Sequence, residues 1–98
     1  MEIKTTKNGN ELTVALSGRL DTLTAPDLED KLDAELEGTE KLIFDLAQLE
    51  YISSAGLRVL VGAYQMMEEL GGMILRNVTE PVMDVFEVTG LTDSLDFE

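Results

Sequence analysis

The sequence predicts an α/β fold: a mixed, largely parallel sheet in the order β-β-α-β-α-β-α, followed by a short tail. Three observations carry this. Leu12, Val14 and Leu16 alternate with Thr13, Ala15 and Ser17, the period of a strand with one apolar face. Asn8-Gly9-Asn10 supplies turn chemistry just before them, so the first two strands form an antiparallel hairpin. Beyond residue 20, short apolar runs alternate with stretches whose apolar residues recur every three or four positions. Such alternation marks βα units and a twisted parallel sheet covered by helices.

Each later element has its own signals. Thr24 precedes Pro26 and stands three residues before Asp27, a capping-box-like helix start. Ala25, Leu28, Leu32 and Leu36 form the apolar stripe, and Gly38 fits the stop. In KLIFDL, Leu42, Ile43 and Phe44 run together as in a strand buried on both faces. The next helix carries Leu57, Leu60, Val61, Tyr64, Met67 and Leu70, and Gly71-Gly72 ends it. Gly62 and Ala63 interrupt it, and their cost in helix propensity predicts close packing against a neighbour. MILRNV reads as a strand. Thr79 and Pro81 start a last helix with the stripe Val82, Val85 and Phe86, ended by Gly90, and LTDSLDFE adds a strand or turn.

Composition narrows the function. The 98 residues fit one domain, 1–98, with a hydrophobic content of 44%, enough for one packed core. Without cysteine there is no disulfide, thiolate metal site or cysteine nucleophile. Without histidine, the usual general base and metal ligand are missing. A net charge of −13 repels nucleic acid backbones and anionic lipid, so neither nucleic acid nor membrane is expected as a partner. The N-terminus has no signal-peptide core and no apolar run is long enough to span a bilayer, so the expected location is the cytoplasm.

Catalytic motifs are missing. Ser54-Ala55-Gly56 is half of a nucleophile elbow, but Ile52 stands where its first glycine belongs and no histidine exists to take the proton. There is no S-x-x-K and no phosphate-cradling glycine loop. The remaining point of interest is YISSAGLRVLVGAY, residues 51–64. Serines at a helix start ordinarily cap it. The same free N–H groups and helix dipole also favour a phosphate there, which would add charge without unfolding the helix.

Three stretches in order resemble the STAS domain family, and specifically its stand-alone bacterial anti-sigma factor antagonists. GRLDTLTAPDLEDKL is similar to the family's G-x-L-D-x-x-T-A-x-x-L stretch, DLAQLEYISSAGLRVLVGAY to its strand, D-S-S-G-L-G signature and helix, and VTEPVMDVFEVTGL to its P-x-V-x-x-x-F-x-x-x-G-L ending. The resemblance implies a non-enzymatic binding module without a cofactor. Unphosphorylated, it would bind an anti-sigma factor with serine kinase activity and so release a sigma factor. Phosphorylation of a signature serine would end binding and a phosphatase would restore it. Aligned on Gly56-Leu57, the signature's acidic position is Ser53 and its second serine is Ala55. Members with D-S-A-G use the serine before the alanine, which makes Ser54 the phosphorylation candidate and Ser53 the second choice. By the same match, Asp21, Thr22, Ser53, Gly56, Leu57 and Arg58 form the docking surface. Arg58 lies four residues after Ser54, in reach of a phosphate there on a helix. The alternatives are a STAS subunit of another assembly, such as a lipid-transport complex or signalling scaffold, without phosphorylation, and, in another class, a small nucleotide-responsive or hydrolytic enzyme.

Overall fold

The computed structural model describes residues 1–98. The elements follow the predicted order: β1 (Glu2–Asn8), β2 (Glu11–Leu20), α1 (Ala25–Glu35), β3 (Lys41–Ile52), α2 (Ser54–Met67), β4 (Met73–Arg76) and α3 (Glu80–Val88), then a 3₁₀ turn at Leu91–Asp93. The sheet runs β1-β2-β3-β4, with β1 antiparallel to β2 and the other pairs parallel. The tail adds a parallel bridge between Phe97 and Leu75 and packs Phe97 edge-on against Phe86, at 5.3 Å between ring centroids.

All three helices serve one face. Strands in sequential order, joined by crossovers of one hand, put α1 and α2 on the same side. A single cluster of 22 buried residues unites the inner faces of β2 and β3 with α1, α2 and α3. Phe44, Phe86, Leu12, Leu28 and Leu60 are fully buried within it. Each such side chain contributes about 1.5–3 kcal/mol through burial.

Leu42 and Phe44 belong to that cluster and Ile43 between them is buried as well, as expected of a strand buried on both faces. Ile43 itself stands outside the cluster. Its register neighbours Thr13 and Ile74 flank it on the far face. Three apolar residues in a row therefore mark one core face plus one residue covered by adjacent strands.

Some details differ. β3 runs to Ile52, past the predicted KLIFDL, and its pairing with β2 carries two register shifts. After Phe44 and Leu46 those shifts bring Leu49 and Ile52 inward at intervals of three, which hides the strand period. α2 ends at Met67, and Leu70 is exposed. Its buried face includes Val59 and Ala63, while Val61 and Tyr64 are half-buried. In α1, Leu36 is the half-buried C-cap. The predicted hydroxyl caps are spent elsewhere: Thr79 Oγ1 donates to the Leu49 carbonyl at 3.1 Å, and Thr24 Oγ1 to the Arg19 carbonyl at 2.8 Å.

The close approach predicted at Gly62 occurs at Gly56 instead. A Cβ on Gly56 would stand 2.6 Å from Leu20 Cγ and 3.0 Å from Ile52 Cγ1, whereas one on Gly62 would meet nothing within 4 Å. Gly56 lets the first turn of α2 sit directly on the ends of β2 and β3.

Candidate functional site

The carboxyl ends of β2 and β3 lie side by side, with Leu20 paired to Ile52 and Arg19 to Tyr51. The Ser53 amide donates to the Leu20 carbonyl at 2.9 Å. This bond fixes the loop after β2 beside the start of α2 and brings the predicted residues Asp21, Thr22, Ser53 and Ser54 to one edge.

Asp21 organises its loop. Its Oδ1 accepts from the backbone N–H groups of Leu23, at 3.0 Å, and Thr24, at 3.1 Å. In return the Asp21 amide donates to Thr24 Oγ1 at 2.8 Å, and the Ala25 amide to the Asp21 carbonyl at 2.8 Å. Asp21 thus does the work at the entry to α1 that the sequence assigned to Thr24. Burial raises the carboxyl pKa, but the Thr24 and Leu23 hydrogen bonds and the Arg19 charge outweigh it and hold the group below its ordinary range. Thr22 and Leu23 project from this tied loop, with Leu23 85% exposed.

The two serines have different surroundings. Ser53 is the N-cap of α2, and its Oγ accepts from the Gly56 amide at 3.5 Å, a long bond. Ser54 is the first helical residue, is exposed, and has no hydrogen bond to its hydroxyl within the chain. The first turn of α2 carries no carboxylate, although α1 and α3 each have one and the chain has 20. Ala55 is half-buried.

Gly56 is buried and Leu57 is 7% exposed. Both therefore seat the helix beneath the edge and offer little surface of their own. Arg58 is exposed but lines a depression between α1 and α2 with Glu29 and Asp33, and it makes no salt bridge. The cation at the edge is Arg19. Its guanidinium lies over the Tyr51 ring at 4.1 Å and stands 3.9 Å from Asp21 Oδ2. Arg19, Tyr51 and Leu23 escaped the sequence reading. Only Leu23, an apolar residue in a polar loop, left a signal there. No cluster of His, Cys, Asp or Glu is arranged to hold a metal ion, and no helix is long and apolar enough to cross a membrane.

Fold and edge together define a small α/β domain with a one-sided four-stranded sheet and a polar rim at the carboxyl ends of its parallel strands. The STAS domain family profile matches residues 2–98. The anti-sigma-B factor antagonist of Bacillus subtilis (strain 168) is 35% identical over 91 residues, covering 92% of this chain and 84% of that protein. An anti-sigma factor antagonist from Mycobacterium paratuberculosis superposes with a TM-score of 0.88 at 24% identity, covering 98% of this chain and 83% of its own. The anti-sigma factor antagonist SpoIIAA in its unphosphorylated form gives 0.84 at 20% identity, covering 99% and 88%. At those identities the two structures speak for the fold. The chain belongs to the STAS domain family.

Proposed function

We propose that this protein is an anti-sigma factor antagonist, switched by phosphorylation of Ser54. Unphosphorylated, it docks an anti-sigma factor on the rim formed by Asp21, Thr22, Ser53 and Ser54, and so frees a sigma factor. Gly56 and Leu57 hold that rim in place from beneath. The partner acts as the serine kinase and brings its own nucleotide, a phosphatase resets the switch, and all of this takes place in the cytoplasm. The protein itself performs no catalysis.

One observation carries the reading. Ser54 is an exposed hydroxyl at the N-terminus of a helix whose first turn is free of carboxylates. A phosphate there meets the positive end of the helix dipole and first-turn N–H groups. It adds about −1.5 to −2 charges to the rim without disturbing the core. A complementary partner surface then faces new charge and bulk. The family match and the identity to an anti-sigma-B factor antagonist support the same reading.

The test is incubation with the cognate kinase and ATP, followed by mass spectrometry and binding measurements. Phosphate on Ser54 and weakened binding by the phosphoprotein are expected. Phosphate on Ser53 alone would overturn the site. A partner that binds tightly but never phosphorylates the chain would overturn the switch.

A further inference from the structure

The strongest feature that this switch leaves unused lies between α1 and α2. Two adjoining depressions, each of about 260 Å³, share the residues Leu32, Asp33, Leu36 and Met66. Together they form a groove with an apolar floor that runs from Arg58 to Leu70. The helical part of that span, from Arg58 to the end of α2 at Met67, is about 14 Å long, roughly two and a half turns. Met66 and Leu70 are each 59% exposed along it.

Gly62 makes this groove more than a surface irregularity. It sits in the interior of α2, where glycine costs about 1 kcal/mol relative to alanine. No contact inside the fold explains it, since a Cβ there would meet nothing within 4 Å. Gly62 lines the groove beside Ala63, and without a side chain it leaves that stretch of the wall open.

Charge selects the occupant. Glu29, Asp33 and Glu37 line the α1 side, all exposed, and Arg58 is the one cation among the lining residues. A second copy of a chain with net charge −13 would bring like charge to the rim, as would the carboxylate of a fatty acid. An apolar stripe flanked by lysines and arginines satisfies both floor and rim.

We propose that the α1–α2 groove is a second docking site, which takes a basic amphipathic helix of a partner protein. It is separate from the Ser54 rim. Arg58 belongs to it, at the end nearest the switch. Met66 supplies the adaptable thioether that peptide-binding grooves use to fit side chains of different shape.

The probe is a synthetic helical peptide of about 14 residues, roughly four turns. It carries leucines at i, i+3, i+4 and i+7 with lysine and arginine elsewhere, and a control replaces every basic residue by glutamate. Titration into ¹⁵N-labelled full-length protein should shift amides of α1 and α2 around Leu32, Asp33, Gly62 and Met66. Gly62→Phe and the double variant Glu29→Lys/Asp33→Lys should each weaken binding about tenfold or more. Gly62→Ala reports on folding, and Ser54→Glu should leave peptide affinity unchanged. Shifts spread over the hairpin and α3 would overturn the proposal, as would equal binding of the acidic control or full affinity in Gly62→Phe. Concentration-dependent dimerisation abolished by Gly62→Phe, or tighter binding of a fatty acid than of the peptide, would identify another occupant and overturn it too.

Discussion

Gly56 and Leu20 pack so closely that a Cβ on the glycine would stand 2.6 Å from Leu20 Cγ. Since Leu20 ends β2 and Gly56 lies in the first turn of α2, this contact sets the height of Ser53 and Ser54 above the sheet. Gly56→Ala should therefore overpack the junction and cost about 1–3 kcal/mol, despite alanine's better helix propensity. Gly62→Ala, in the same helix, has the opposite expected sign and should add up to about 1 kcal/mol. Urea or thermal unfolding of the two variants checks both. A Gly56→Ala protein as stable as the parent would mean that Leu20 moves aside without cost.

Asp21 gives a dependence on pH. Its carboxyl pKa is held below the model-compound value of 3.8, so the folded state binds the proton less readily than the unfolded chain. The contribution of Asp21 to stability is then fully present above the unfolded pKa and is lost as pH falls through the lower folded one. The stability gap between the parent and Asp21→Ala should be constant near pH 6 and shrink below about pH 4. Asp21→Asn keeps an oxygen acceptor for the Leu23 and Thr24 amides but lacks the charge, so it should retain part of the gap with a weaker pH dependence. Unfolding midpoints across this range test it, and a gap that ignores pH would assign the effect to packing.

Ser53 and Ser54 should separate by function. The cap bond from the Gly56 amide to Ser53 Oγ is long at 3.5 Å, so Ser53→Ala should cost about 0.5 kcal/mol, the low end for a cap. Ser54→Ala should leave stability within about 0.5 kcal/mol, as surface changes usually do. It should also abolish phosphate incorporation by the partner kinase, whereas Ser53→Ala should retain it. Phosphate counting on both variants decides this, and the reversed pattern would move the acceptor to Ser53.

The fold was legible where local signals and tertiary structure agree. The Leu12-Val14-Leu16 alternation and the Leu28-Leu32 stripe mark the same faces in sequence and structure. The hairpin was visible too, although its turn is only Gly9-Asn10, because Asn8 still pairs with Glu11. What stayed hidden depends on contacts far apart in the chain. The end of β3 lost its period to register shifts against β2. Thr24 and Thr79 sit where caps belong, but their hydroxyls found carbonyls at Arg19 and Leu49. Gly56 and Gly62 look alike in a helix, and only the neighbouring strands show which one is under pressure. Ser53, Ser54 and Asp21 could be picked out from motif position, but their division of labour needed the hydrogen bonds. The Arg19–Tyr51 stack arises from pairing of strands that are distant in sequence, which no local pattern encodes.

Leu23 yields the last prediction, which rests on the proposed docking rim. An isolated exposed leucine is ordinary, but this one is 85% exposed on a loop fixed by Asp21. Its backbone is held before any partner arrives, so less ordering entropy remains to be lost on binding. A minority of interface residues cost more than about 1 kcal/mol when truncated, and Leu23 is expected to be one of them. Leu23→Ala should thus weaken binding of the anti-sigma factor by about tenfold, with stability changed by less than about 0.5 kcal/mol. Asp21→Ala, by releasing the loop, should weaken binding as well. The double variant should lose less than the sum of the two, because Leu23 acts through the conformation that Asp21 imposes. Calorimetric titration of the two single variants and the double variant measures this coupling. Strict additivity would show that Asp21 meets the partner directly and does not work through Leu23.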